Sequence, residues 1–122
     1  MKTSSYRDLL VWQKAMDLVQ GVYNMAKQLP DAEKYGLSSQ LRRAVVSIPS
    51  NIAEGYKRNS TAEYSQFCGI AAGSLAELET QIAVVARVYP DIDTKNLLEK
   101  SDEVQRMLYS MIRKLREAKT VR

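Results

Sequence analysis

Histidine is absent from the 122 residues, and cysteine occurs once, as Cys68. Those two scarcities exclude imidazole acid–base catalysis, histidine metal ligands, an intramolecular disulfide and every multi-cysteine zinc pattern. Glycine (5) and proline (3) are too few for a fibrous or low-complexity chain. No Gly-x-x-x-x-Gly-Lys occurs, which argues against a phosphate-cradling loop and nucleotide hydrolysis. Long apolar runs are missing too: the longest, Ile82 to Ala86, is far short of a bilayer span. The start, Met1 to Trp12, has no apolar core segment followed by a small-residue cleavage site. The expectation is a soluble, cytoplasmic protein that makes no membrane contact.

What remains is an ordinary globular composition, 45% hydrophobic and 26% charged, in a length that suits one compact domain over residues 1–122. Lys and Arg exceed Asp and Glu by 18 to 14, a net charge of +4. The charge is unevenly spread. Residues 59–90 hold one cation, Arg87, against Glu63, Glu77 and Glu79. Residues 106–122 hold Arg106, Arg113, Lys114, Arg116, Lys119 and Arg122 against Glu117 alone.

Four stretches carry helical periodicity and none alternates like a strand. The first, about Tyr6 to Leu29, spaces Leu9, Trp12, Met16, Val19, Tyr23 and Ala26 at threes and fours until Pro30. The second follows Gly36, with Ser38 or Ser39 as its cap, and runs through Leu41, Ala44, Val45, Ile48 and Ile52. Pro49 lies inside it, and because the apolar spacing stays in phase the expectation is a kink, not a break. The third, capped by Ser60 or Thr61, has an unbroken heptad of Tyr64, Cys68, Ala71, Leu75, Leu78, Ile82, Val85 and Tyr89 before Pro90. The fourth starts after Asp93 or Thr94 and repeats the pattern through Leu97, Ser101, Val104, Leu108, Met111, Leu115 and Ala118. Four long helices joined by short breaks predict an all-α, antiparallel up-down-up-down four-helix bundle.

Chemistry-bearing groups are sparse. Glu54, Glu77 and Glu79 suggest a carboxylate metal site, yet without histidine the usual bundle centre cannot form, and solvated helix charges explain them better. Cys68 sits at a heptad core position with no base to activate it, so a buried, inert thiol is expected. Gly69 and Gly73 would let a neighbouring helix approach closely. Ser47, Ser50, Asn51 and Glu54 surround Pro49, where they can satisfy carbonyls freed by the proline. Arg42 and Arg43 point about 100° apart on a helix, so at least one faces outward. The basic end of the fourth helix complements the helix dipole but exceeds that need, leaving an outer stripe able to follow a phosphate backbone.

Several stretches together resemble a known family: Leu10-Val11-Trp12-Gln13-Lys14-Ala15, Glu33-Lys34-Tyr35-Gly36-Leu37-Ser38-Ser39-Gln40-Leu41-Arg42-Arg43-Ala44, Ser47-Ile48-Pro49-Ser50-Asn51-Ile52-Ala53-Glu54-Gly55 and Gly73-Ser74-Leu75-Ala76-Glu77-Leu78-Glu79. They resemble the four-helix-bundle family encoded by intervening sequences in bacterial 23S ribosomal RNA genes, over nearly the whole chain. The resemblance implies a bundle that assembles into a ring-like homopentamer without known catalytic activity. The accessory protein of diversity-generating retroelements looks like a relative, in which a basic pentameric barrel engages nucleic acid and a reverse transcriptase.

The leading expectation is therefore a non-enzymatic oligomeric scaffold that binds RNA electrostatically, with no catalytic residue, cofactor or metal. Arg42, Arg43, Arg106, Arg113, Lys114, Arg116, Lys119 and Arg122 are its candidate nucleic-acid contacts. A protein-interaction adaptor that uses apolar grooves and never touches nucleic acid is the alternative. An enzyme built on carboxylates or tyrosine ranks third, because the usual acid–base machinery is missing.

Overall fold

A computed structural model of the chain describes residues 5–121, with side chains as far as Ala118. Its helices are α1 (Leu10–Ala26), α2 (Leu37–Tyr56), α3 (Thr61–Val88) and α4 (Lys95–Val121), and single 3-10 turns cover Tyr6–Asp8 and Asp31–Glu33. Among the described residues there is no strand. Each helix packs on its chain neighbour and α1 closes onto α4, whereas the backbones of the diagonal pairs α1/α3 and α2/α4 do not approach closely. This is the expected four-helix bundle.

The helix starts follow from local chemistry. Ser60 ends the preceding extended segment and its Oγ accepts the Glu63 N–H at 3.2 Å, which fixes the first turn of α3. Asp93 Oδ1 accepts the Lys95 N–H at 3.0 Å ahead of α4. Helix α2 departs from expectation, because Gly36 takes the cap position and Ser38 is buried inside the first turn. The expected first helix is also shorter than Tyr6 to Leu29. Leu9 is extended and separates the opening 3-10 turn from α1, while the residue before Pro30 is sterically biased away from helix, and α1 ends at Ala26.

The core stripe of α1 is a correction. Val11, Ala15, Leu18, Val22 and Met25 are buried, one residue and therefore about 100° round from the expected stripe of Leu9, Trp12, Met16, Val19, Tyr23 and Ala26, of which Ala26 is buried and Leu9, Trp12 and Val19 are half-buried against the core. Met16 keeps 41% of its surface and Tyr23 38%. Both stripes have helical spacing, so periodicity alone could not tell which one the bundle would bury.

The other helices follow their patterns more closely. Leu41, Ala44, Val45, Ile48 and Ile52 of α2 meet Cys68, Ala71, Leu75, Leu78, Ile82 and Val85 of α3 in one core. On α4, Leu97, Ser101, Val104 and Leu108 are buried as expected, and Ile112 takes the next place, with Met111 and Leu115 only half-buried.

Helix α2 runs unbroken through Pro49. Around it, Ser50 Oγ donates to the Val46 carbonyl at 2.8 Å and Asn51 Nδ2 donates to the Ser47 carbonyl at 2.7 Å. The Ser47 and Ser74 hydroxyls, 2.8 Å apart, tie α2 to α3. Glu54 takes no part in this network: it is exposed and pairs with Arg58 at 3.1 Å, a surface interaction of the kind worth about a few tenths of a kcal/mol. Gly55 is where α2 and α3 need a glycine, since an added Cβ would lie 2.8 Å from Phe67 Cβ and 3.2 Å from the Tyr64 carbonyl oxygen. Gly69 and Gly73 have nothing within 4 Å of such a Cβ. They face outward and do not serve close packing inside the bundle.

Candidate functional site

The cations split into two groups. Because α2 and α4 are diagonal, Arg42 and Arg43 are separated from Arg106, Arg113, Lys114 and Arg116 by the width of the bundle. Arg42 is half-buried and Arg43 exposed. Both border an open depression of about 510 Å³ with Tyr23, Ser39, Val46 and Ser47. Arg43 also borders the polar cleft between α2 and α3, opposite Ser74 and Glu77.

On α4, Arg106, Arg113, Lys114 and Arg116 are all exposed. Arg106 and Arg113, two turns apart, share one face, with Lys114 and Arg116 on its opposite flanks. Arg106 and Lys114 rim a groove of about 480 Å³ between the start of α1 and α4, floored by Leu9, Val11, Met107, Met111 and Leu115. Among the described residues, none of Arg42, Arg43, Arg106, Arg113 and Lys114 is in an ion pair, whereas Lys14 pairs with Glu103 and Arg58 with Glu54 and Glu63. These five cations are therefore not committed to holding the fold. The Lys119 side chain and Arg122 lie outside the described residues.

Burial shifts Cys68, Tyr64 and Glu79. Cys68 is fully buried, its Sγ 3.6 Å from Met111 Sδ, and burial pushes its thiol up to about 11. A thiol that stays protonated at neutral pH is a poor nucleophile. Burial, reinforced by Cys68 and Tyr56, pushes the Tyr64 phenol up to about 12. Glu79 is raised above the ordinary carboxylate range, first by desolvation and then by the charge and hydrogen bond of Asp102 across the α3/α4 seam. The three glutamates named in the sequence go separate ways: Glu54 to Arg58, Glu77 to the Gln81 amide at 3.3 Å, and Glu79 to Asp102. Among the described residues no group of three potential metal ligands comes together.

Sequence reasoning missed the extent of the outward apolar surface. Trp12, Met16 and Val19 of α1 join Tyr6 and, from α2, Val46, Pro49 and Ala53 in an open groove of about 340 Å³. On α3, Ile70 and Val84 keep 47% and 42% of their surface. Thr61–Val88 is the one described helix long and apolar enough, by length and composition, to cross a membrane, yet only 39% of its most apolar window is buried. A second heptad along each helix was the available signal. On α1 it is the face that the spacing of Trp12, Met16, Val19 and Tyr23 picks out.

The described residues form a helical bundle with a buried thiol, exterior cations outside ion pairs and open apolar surface. Residues 7–110 match the family described as 23S rRNA-intervening sequence protein, and the chain belongs to that family. Its fold is similar to the crystal structure of a protein of unknown function from the S23 ribosomal protein family of Bacteroides thetaiotaomicron, with a TM-score of 0.77 and 23% identity over 84% of this chain and 98% of that one. No curated protein matches.

Proposed function

We propose that the protein is a non-enzymatic homo-oligomeric scaffold of the cytoplasm that binds RNA through phosphate contacts. The observation that carries this reading is the set of exterior cations that no carboxylate neutralises, with Arg106, Arg113 and Lys114 within about two turns of α4. Each phosphate contact is weak in salt, so affinity has to come from repetition. A ring of five, the assembly implied by the family resemblance, multiplies a +4 chain to about +20 and sets five basic α4 ends on one particle. The resemblance to the accessory protein of diversity-generating retroelements supports the same reading.

The test is retention of single-stranded or structured RNA by the purified protein on a filter at about 50 mM salt, followed through a salt titration. Retention that falls linearly on a log–log plot supports the scaffold. No retention at low salt removes it. One observation favours an adaptor instead: between Arg106 and Lys114 lies an apolar methionine- and leucine-floored groove, a surface that suits a partner's side chains better than a phosphate backbone. Binding of a protein partner that is insensitive to added RNA would favour that second reading.

A further inference from the structure

Two exterior surfaces of this chain complement one another in shape and charge and face in different directions. The first is the groove between α1 and α2. Trp12, Met16 and Val19 form one wall, Val46, Pro49 and Ala53 the other, and Tyr23 continues the first at heptad spacing in the adjoining depression. Arg42 and Arg43 stand at its Tyr23 end. The second is the outward side of α3, where Gly69, Gly73, Ala76, Thr80 and Ala83 follow the same 4, 3, 4, 3 spacing. All five are exposed or half-buried, and open space lies above both glycines. Ile70, Glu77 and Val84 flank this ridge.

We propose that the α1/α2 groove of one copy receives the outward ridge of α3 of the next, joining chains head to tail. The proposal rests on the homo-oligomer reading above and assigns its faces. A narrow ridge of glycine and alanine lets a helix sink between two others whose facing side chains are large, as small residues do wherever helix backbones approach closely. The lengths agree, about 17 Å from Trp12 to Tyr23 and about 21 Å from Gly69 to Ala83 at the helical rise. The charges agree too. Arg42 and Arg43 at the groove meet Glu77, the exposed carboxylate beside the ridge.

Face-to-face pairing of like surfaces satisfies neither condition. Groove on groove sets large side chains against large ones and the arginine pair against itself, and ridge on ridge sets Glu77 toward its own copy. A contact between two different faces is heterologous, and repetition produces a closed ring or an open filament. Lipid is the other claimant to the ridge, but Glu77 beside its centre makes an apolar bilayer a costly environment.

The test is cross-linking of the full-length chain carrying Met16→Cys and Gly73→Cys, treated with a short bis-maleimide and run on a denaturing gel. Cys68 is buried and its thiol raised, so it stays silent, and each single variant serves as the control. The proposal predicts a ladder beyond dimer from the double variant and monomer from each single variant. Dimers from a single variant would show that like faces pair and overturn it. No ladder from a sample that light scattering shows to be oligomeric would overturn these faces and leave the assembly reading standing. A monomer by light scattering in the unmodified protein would end both, and co-sedimentation of that monomer with phosphatidylglycerol vesicles would assign the ridge to lipid. As a second variant, Gly73→Trp adds bulk where the single chain has open space, so helicity should be retained and the oligomer abolished. An intact oligomer in that variant counts against the proposal.

Discussion

Helices α1 and α3 each carry two apolar seams, and the bundle uses one of each. On α3 the inner seam is built of Leu75, Leu78, Ile82 and Val85 and the outer of glycine, alanine and threonine. On α1 the sizes are reversed, with Val11, Ala15 and Leu18 inside and Trp12, Met16 and Tyr23 outside. Side-chain size therefore does not decide which seam a bundle buries. Fit to the partner helices decides it, and the larger side chains of α1 are left for a contact outside the fold.

The widest gap between the seams is in stability. Leu78→Ala, at a fully buried position, should cost about 2–5 kcal/mol in urea denaturation, since it leaves a cavity that four packed helices cannot close. Val84→Ala, on the outer side of the same helix, should change the stability of the isolated chain by no more than about 0.5 kcal/mol. The two glycine classes give the next contrast. Gly55→Ala forces α2 and α3 apart and should destabilise by about 1–3 kcal/mol, whereas Gly73→Ala fills open space and should stabilise the single chain by roughly 0.5–1 kcal/mol through helix propensity. Equal effects at the two glycines would erase the distinction between inner and outer faces.

Smaller effects separate the two cation groups. Replacing Arg106, Arg113 and Lys114 by glutamine should lower RNA retention and flatten its log–log salt slope by about 0.7 per phosphate left without its cation on single strands. Arg42→Gln should leave that slope unchanged, because Arg42 stands on the diagonal helix and beside the proposed chain-to-chain groove. An equal change from both groups would merge them into one nucleic-acid surface.

Slightest of all is a pH dependence across the α3/α4 seam. Folded Glu79 holds its proton above the ordinary value of 4.5, so between that value and its raised one the folded chain binds more protons than the unfolded chain. The stabilisation is complete below the ordinary value and is lost as pH rises through the folded one. Relative to Glu79→Gln, the unmodified protein should therefore become less stable as pH climbs toward neutral. A difference between the two denaturation midpoints that moves in favour of the unmodified protein as pH rises would contradict the assignment.

Helix number, order and approximate bounds were legible because heptads, caps and prolines are local signals, and the α3 core stripe was legible because its two seams differ so much in size. The α1 stripe was not, since phase is set by packing between helices. Glu54 shows the same limit: its place near Pro49 suggested a partner beside the proline, but its position on the turn points it outward to Arg58. The cations could be named from sequence, but that α2 and α4 lie diagonal is a property of the closed bundle, so their division into two groups could not.

Whether copies of this chain assemble, as the unused outer seams lead us to propose, is tested by light scattering on the unmodified protein across micromolar concentrations. The expected result is a discrete particle of several copies, five if the ring closes as the family resemblance implies. A 13.8 kDa monomer throughout that range would contradict it.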